Sequence, residues 1–440
     1  MSLLLFIGAL LFFLYPVISG KKVSFIDNYL LFCLYFDAME VFAGGQEALF
    51  SYFQNFLILV FSLYYFVYHV KRISKYHKRI FFATIFFLLT ILFFPIFRGA
   101  NINQTVRIFS INYVSLIILP ISFHYYSRKG NIVNLLRSGY YFILSWVLIV
   151  LLFTLLKIDV TAEHMGSESF GGSIFYFGNM GQRGALTYIS FALLLVPLIF
   201  KYLSYIKKIE IFAGSGFLLT IMSVALKRFS FVTVILGLIN YFLKSSLGLK
   251  LKIGIFSGTA VIVLLLYFTT NLKEITLQSY EKRGTESKFK VEAIENDLRI
   301  YEPLYALQYV FEGSAIEIFF GTKSEGIIDI NSEMHTVSAR RIHNAYAAII
   351  LSSGLLGLFA YLYIFFVLYR MTLRLKQKLL KRNINVNEYW IVFQNLVLIF
   401  IVAGMVGGHI HITYRGMVLL FAGGISGYFY KLLNQNIIKT

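Results

Sequence analysis

Residues 338–370 read SARRIHNAYAAIILSSGLLGLFAYLYIFFVLYR, and this stretch decides the fold. Its apolar run ends at Arg370 and is long enough to form a helix that crosses a bilayer. Two arginines and a histidine, Arg340, Arg341 and His343, stand at the mouth of that helix. The stretch therefore predicts a membrane span with a concentrated set of polar side chains at one end.

The composition of the whole chain agrees with a membrane protein. Of its 440 residues 58% are hydrophobic and 14% are charged, and the mean hydropathy is +0.73. Repeated apolar segments of about 17–25 residues indicate transmembrane helices rather than a soluble domain or a barrel. The single cysteine excludes an intramolecular disulfide or a cysteine-based metal site. We expect an all-α, polytopic integral membrane helical bundle of about 12–13 spans, forming one domain over residues 1–440.

The apolar segments place the spans along the chain, with boundaries uncertain by about 2–4 residues. The first segment lacks a basic region and a small-residue cleavage site, so it reads as a span rather than a signal peptide. The predicted spans are 2–20, 24–43, 50–69, 80–97, 108–126, 139–156, 184–201, 210–226, 229–243, 253–270, 345–369, 389–407 and 415–430.

The distribution of positive charge predicts the orientation. The net charge of +19 could suggest nucleic acid, but 24 of the 40 Lys and Arg residues fall in alternate short loops, as the positive-inside rule describes. These loops are predicted to be cytoplasmic, and the N-terminus outside. A re-entrant second span would instead give an even number of spans. The loops 157–183 and 271–344 then face outward.

The loop 271–344 holds 12 of the 21 acidic residues. Ile294, Leu298, Tyr301 and Tyr305 recur at helical spacing, which predicts amphipathic helices within the loop. Pro303 is expected to start or kink such a helix. The loop is too short for a separate catalytic domain and suits a lid.

Outward-facing cations are the candidate functional residues, because ionisable groups at a membrane often mark substrate paths. An arginine fork binds phosphate oxygens bidentately, and a neutral histidine can act as a general base. Together they fit glycosyl transfer from a diphosphate-linked sugar. The predicted catalytic residues are His343, Arg228 and Arg299, and the predicted substrate-binding residues are Arg341, Arg340, Asn344, Arg183, Arg415 and His409.

Simpler interpretations exist for each of these residues taken alone. A single outward arginine can be an interfacial anchor, and His343 can serve only to start a helix. The pair His409 and His411 has no nearby carboxylate or cysteine, so no metal site is predicted. Glycines such as Gly354 and Gly357 are typical of close helix packing.

Three motifs in order carry a family resemblance. They are SVALKRFSF around Arg228, the stretch RIYEPLYALQYVFEGSAIEIFFG from Arg299, and HNAYAAIILSSGLLG from His343. In this layout, which covers roughly residues 180–430, the chain resembles the bacterial O-antigen polymerase and O-antigen ligase superfamily. The chain departs from the family's usual motifs at two places. The first junction reads Lys-Arg-Phe, and the glycine that closes the second motif is followed by TKSEG.

The resemblance implies a metal-independent and cofactor-independent glycosyltransferase in the bacterial cytoplasmic membrane, with its site facing the periplasm or exterior. Its donor and acceptor would be undecaprenyl-diphosphate-linked oligosaccharides. The family's essential histidine would fall on His343, and its essential arginines on Arg228 and Arg299. No nucleic acid is expected, and association with a chain-length regulator is left open.

Polymerase activity is the favoured expectation. The periphery of the chain is divergent and rich in Phe, Tyr and Ile, as polymerases tend to be in the superfamily that the chain resembles. A ligase, which would transfer the glycan to a lipid A core or a protein, shares the same site. A lipid-linked oligosaccharide flippase or secondary transporter is the alternative from another class. It predicts two similar halves and broken helices near the midplane, and the sequence has no matching halves.

Overall fold

The computed structural model describes most of the chain between residues 47 and 435. The described ranges are 47–69, 74–155, 185–201, 205–224, 228–245, 298–322, 327–331, 336–342, 344–406 and 412–435. Three predicted spans, 2–20, 24–43 and 253–270, lie outside the described residues, as do the loop 157–183 and much of the loop 271–344.

Helices dominate the described residues, together with one short antiparallel hairpin. In chain order the elements are α1 Glu47–His69, α2 Lys75–Phe97, α3 Ile102–Tyr113, α4 Ile118–Tyr126, α5 Ile132–Leu155, α6 Ala185–Lys201, α7 Tyr205–Val224, α8 Arg228–Lys244, α9 Leu298–Phe311, α10 Ala315–Phe320, β1 Ile327–Asn331, β2 Thr336–Arg341, α11 Ala345–Leu380, α12 Asn387–Val406 and α13 Ile412–Gln435.

Three helices in the described part of the chain are long and apolar enough to cross a membrane: Lys75–Phe97, Ala345–Leu380 and Gly416–Gln435. A fourth span results if α3 and α4, which bend by 48° at a short 3₁₀ turn, are counted as one. This bend lies where a single span was predicted at 108–126. The apolar helices are consistent with an all-α membrane protein, whereas the predicted total of 12–13 spans stays a prediction.

The chain divides into two compact units. One contains residues 131–288 and 386–396 together with the N-terminal 50 residues. In its described part Tyr140 donates its hydroxyl to the carbonyl of Ile211, joining α5 to α7. The amide of Asn395 on α12 donates to the carbonyl of Gly237 and accepts from Asn240, both on α8. Side-chain amides thus fasten helices that are otherwise apolar.

The other unit, residues 51–130, 289–385 and 397–440, has two chemically different ends. At one end, which we call the basic end, Lys378 donates to the hydroxyl of Tyr76, Lys431 to the carbonyl of Gly130 and Arg382 to the carbonyl of Leu433. These contacts show that α2 runs antiparallel to α11 and that α13 runs parallel to α11. Lys75, Lys78, Arg79, Arg128, Lys129, Lys378, Lys381, Arg382 and Lys431 share this end.

Close packing of α4 against α13 forms the interior of this second unit. A Cβ on Gly423 would lie 2.6 Å from the carbonyl oxygen of Leu119, and one on Gly427 would collide with the carbonyl of Phe123. The hydroxyl of Ser122 donates to the carbonyl of Leu420 across the same interface. Small residues let membrane helices approach each other this closely.

The opposite end of this unit, which we call the hairpin end, is built by α9, α10, the β1–β2 hairpin and the start of α11. Strands β1 and β2 pair antiparallel, with Ile327 opposite Arg341 and Ile328 opposite Arg340. The hairpin was not predicted, because this loop was interpreted from helical periodicity. Helix α9 occurs where the spacing predicted one, and Pro303 lies inside it as its sixth residue.

Candidate functional site

The residues on either side of position 343 are held firmly in place. Ile342 is buried in an apolar cluster with Ala306 and Val310 of α9 and with Ala347, Ile350 and Leu351 of α11. Asn344 on the other side caps α11: its side-chain oxygen accepts a hydrogen bond from the amide of Ala347 at 3.0 Å. Burial before and capping after position 343 fix where the chain enters the helix.

The start of α11 is also joined to the end of α12 within the second unit. The side-chain amide of Asn344 donates to the carbonyl of Met405 at 3.0 Å, and the hydroxyl of Tyr346 donates to the carbonyl of Ile401 at 2.7 Å. Gly404 makes room for the Tyr346 ring, which lies 3.0 Å from where a Cβ would stand. Both hydrogen bonds go to carbonyls of the last two turns of α12, so they hold the start of α11 against the end of α12.

Helix α11 is broken at Gly354, where α10 is inserted backbone against backbone. Gly354 has φ 63° and ψ −165°, and Gly321 has φ 84° and ψ 177°, a region that only glycine occupies readily. A Cβ on Gly354 would collide with the carbonyl of Phe319, and one on Gly321 with the backbone of Ser352. The two glycines thus interlock α10 with α11.

The break in α11 leaves a carbonyl that α10 satisfies. In a regular helix the carbonyl of Leu351 would accept the amide four residues later. Here it accepts both the amide of Thr322 at 2.8 Å and the Thr322 hydroxyl at 2.9 Å. Gly354 was predicted as a helix-packing glycine, and the backbone of α10 does pack directly against it; the helix is also interrupted at this residue, which was not predicted.

An ion pair links α10 to the end of α2. The guanidinium of Arg98 lies 3.3 Å from the carboxylate of Glu317. The same carboxylate accepts the backbone amide and hydroxyl of Ser314, and the Ser314 hydroxyl accepts the amide of Glu317, which completes a capping box. These hydrogen bonds from Ser314, and then the charge of Arg98, lower the pKa of Glu317 below its ordinary value.

Four of the predicted arginines lie on elements of the second unit. Arg299 is in the first turn of α9, Arg340 and Arg341 end strand β2 just before Asn344, and Arg415 is in the first turn of α13. Because α13 runs parallel to α11, its first turn lies toward the hairpin end. The fold therefore brings the segments that carry these four arginines and Asn344 to one end of a single unit.

The remaining predicted residues lie either in the other unit or outside the described residues. Arg228 is the first residue of α8, in the other unit. His343, Arg183 and His409 lie outside the described residues. Convergence of the full predicted set, including the histidine, stays a prediction.

Sequence reasoning missed one acidic residue of this region. Glu302 lies one helical turn after Arg299 on α9, and its side chain is completely buried. It precedes Ala306 and Val310 at spacings of four and eight, so it shares the buried stripe of α9 that packs against α11. The signal available was its place in that stripe, because a carboxylate there is buried by the neighbouring helix.

No family model matches this chain, and no curated protein matches it in sequence.

Proposed function

We propose that this protein is a polysaccharide polymerase that transfers an undecaprenyl-diphosphate-linked glycan onto the next lipid-linked repeat unit. One observation carries the proposal: the segments bearing Arg299, Arg340, Arg341 and Asn344 gather at the hairpin end of a membrane-type bundle. That end lies opposite the basic end. By the positive-inside rule the basic end is cytoplasmic and the hairpin end faces outward.

The chemistry follows from the residue types. The hydroxyl of the incoming repeat unit attacks the anomeric carbon of the donor, with inversion, while His343 accepts the hydroxyl proton. The bond from that carbon to the diphosphate oxygen breaks, and undecaprenyl diphosphate leaves. Arg299 and Arg228 stabilise the negative charge that develops on the leaving diphosphate, because guanidinium groups bind phosphate oxygens bidentately.

The surroundings of position 343 support a fixed catalytic group. Ile342 is buried and Asn344 caps α11, so the chain is anchored immediately before and after the proposed base. Catalysis by a positioned side chain depends on such anchoring, since a displacement of about 1 Å can lower the rate about a hundredfold. Arg340, Arg341, Arg415, Arg183 and His409 are proposed to hold the rest of the lipid-linked substrates.

The transporter alternative is favoured by one observation, the broken helix at Gly354. Broken helices in transporters expose backbone carbonyls that coordinate ions. In this chain the freed carbonyl of Leu351 is occupied by Thr322, and the gap is filled by the backbone of Phe319 and Phe320. This packing supports a structural role for the break and leaves the glycosyltransferase as the better proposal.

Purified protein incubated with a defined undecaprenyl-diphosphate repeat unit separates the candidates. A ladder of lengthened glycans indicates a polymerase, and reaction only after a separate acceptor is added indicates a ligase. Solute or lipid movement in vesicles without a new glycosidic bond indicates a transporter and overturns the proposal.

Substitution of the proposed base tests the mechanism. His343→Ala should abolish ladder formation while the protein still inserts in the membrane and elutes as a single species. Arg370→Ala is the control, because Arg370 lies toward the basic end and stacks on Phe366 at 5.9 Å. An unchanged ladder in the His343 variant would show that the base is assigned wrongly.

A further inference from the structure

Helix α10 exposes an apolar surface at the hairpin end. Ile316 is 55% exposed and Phe319 is 56% exposed, and Phe320 is exposed beside them. The one charged residue of the helix, Glu317, is on the side that faces Arg98. Such a surface is costly in water, at about 25 cal/mol for each Å² of apolar area.

This surface continues a longer apolar stripe on α2. Phe82, Phe86, Leu89, Phe93 and Phe97 are all exposed and recur every three or four residues, so they share one face of α2. The stripe ends beside α10, where the rings of Phe94 and Phe320 meet edge to face at 5.3 Å. Since α2 qualifies as a membrane span, its exposed apolar face is the face that lipid covers.

The helices provide a measure of depth for α10. Arg79 and Arg98 stand nineteen residues apart, about 28 Å along a helix axis at 1.5 Å per residue. That length matches the hydrocarbon thickness of about 30 Å. If Arg79 stands at the basic edge of the hydrocarbon layer, Arg98, the partner of Glu317, therefore stands at the opposite edge.

The break in α11 gives an independent measure of the same depth. Gly354, against which α10 is inserted, lies sixteen residues before Arg370, or about 24 Å along the axis. If Arg370 stands at the basic edge of the bilayer, Gly354 lies within about 6 Å of the opposite edge. Both measures place α10 at the boundary between acyl chains and headgroups.

We propose that α10 is an interfacial anchor whose side chains Ile316, Phe319 and Phe320 insert among phospholipid acyl chains at the hairpin end of the second unit. The Arg98–Glu317 pair would lie at headgroup level, where the guanidinium also meets lipid phosphate. The occupant is lipid, because the surface is continuous with the lipid-covered stripe of α2. The interlock of Gly321 with Gly354 holds α10 at this depth.

Depth measurement by electron paramagnetic resonance tests the proposal. Single-cysteine variants on a Cys33→Ser background would be spin-labelled and reconstituted in vesicles of phosphatidylethanolamine and phosphatidylglycerol. Phe319→Cys and Ile316→Cys report on α10, Glu312→Cys on an exposed site in the turn between α9 and α10, and Phe86→Cys on the middle of the α2 stripe. Relaxation by oxygen and by a water-soluble nickel chelate gives the depth of each label.

The expected result is an intermediate depth for positions 316 and 319, about 5–10 Å below the headgroup boundary. Position 312 should be reached by nickel and position 86 by oxygen alone. Relaxation at 316 and 319 equal to that at 312 would place α10 in water and overturn the proposal. Labels shielded from both reagents would mean that protein, such as a second copy, covers the surface, which also overturns it.

Discussion

The side chain of Asn344 joins the ends of two helices, since its amide nitrogen donates to the carbonyl of Met405 while its oxygen accepts from Ala347. The amide of Ala347 belongs to the first turn of α11, where amides lack partners within the helix, and the carbonyl of Met405 belongs to the last described turn of α12. One side chain therefore caps α11 and joins it to α12 beside position 343.

We predict that Asn344→Ala lowers the free energy of unfolding by about 1–2 kcal/mol, because both hydrogen bonds are lost. Asn344→Asp keeps the acceptor for Ala347 and loses only the donor to Met405, so it should cost less. Melting temperatures in detergent micelles measure both effects. Equal loss in the two variants would mean that the cap contributes nothing measurable.

The interlocked glycines should not tolerate a side chain. Gly354→Ala and Gly321→Ala should each destabilise the protein by more than about 2 kcal/mol, because a Cβ meets backbone atoms that cannot move aside and φ is positive. Thermal unfolding in micelles or the folded fraction after purification measures this loss.

Two other glycines serve as matched controls for the interlock. Gly216→Ala on α7, where a Cβ meets nothing within 4 Å, should be neutral or stabilising by up to about 1 kcal/mol. Gly99→Ala has equally open space but φ +86°, so it measures the destabilisation that comes from the backbone conformation alone. A Gly354 variant as stable as the Gly216 variant would contradict the observed packing.

Buried Glu302 should matter far more than Glu312, an exposed acid that directly follows the same helix. Glu302→Ala removes a fully buried carboxylate and leaves a cavity, so we expect a loss of more than about 2 kcal/mol. Glu312→Ala, at an exposed position, should change stability by less than about 0.5 kcal/mol. Unfolding measurements that gave equal effects would show that burial of Glu302 is unimportant.

The capping box of α10 should depend on pH. The pKa of Glu317 is lower in the folded protein than its ordinary value of 4.5, so its stabilisation is fully present above that value. Stabilisation is lost as the pH falls below 4.5 and through the lowered folded pKa. The protection of the α10 amides, measured as the intrinsic exchange rate at each pH divided by the observed rate, should therefore fall in that window.

Glu317→Gln is the control for this pH effect, because glutamine can complete a capping box without a charge. Protection of α10 in this variant should be weaker near neutral pH and should not change as the pH falls through the same window. The same acid-dependent loss in both proteins would assign the effect to another group.

The main helices could be predicted from sequence because their apolar runs are long. The run from Ile80 predicted α2, although the helix begins earlier, at Lys75, where Ser74 caps it. The start of α11 was predicted at Ala345, where the apolar run begins. These features depend on residues close together in the chain, so local sequence is sufficient to predict them.

Features that depend on distant residues could not be predicted. The break at Gly354 exists because Phe319 and Phe320 press against it, more than thirty residues earlier in the chain. Burial of Glu302 depends on α11, and the β1–β2 hairpin was hidden because its strands are short. Of the candidate site, the sequence predicted the arginines and Asn344, and the fold supplied the elements that gather their segments.

Gly321 packs against the backbone of Ser352, and Gly354 packs against the backbone of Phe319. These contacts restrict how the large loop between α8 and α11 can move. Residues 298–322 are joined to α11 by a shared apolar cluster and by backbone contact, so this segment cannot swing without dragging a membrane helix along. Any rearrangement of this loop must therefore leave residues 298–322 in place on α11. These residues form a fixed border of the loop.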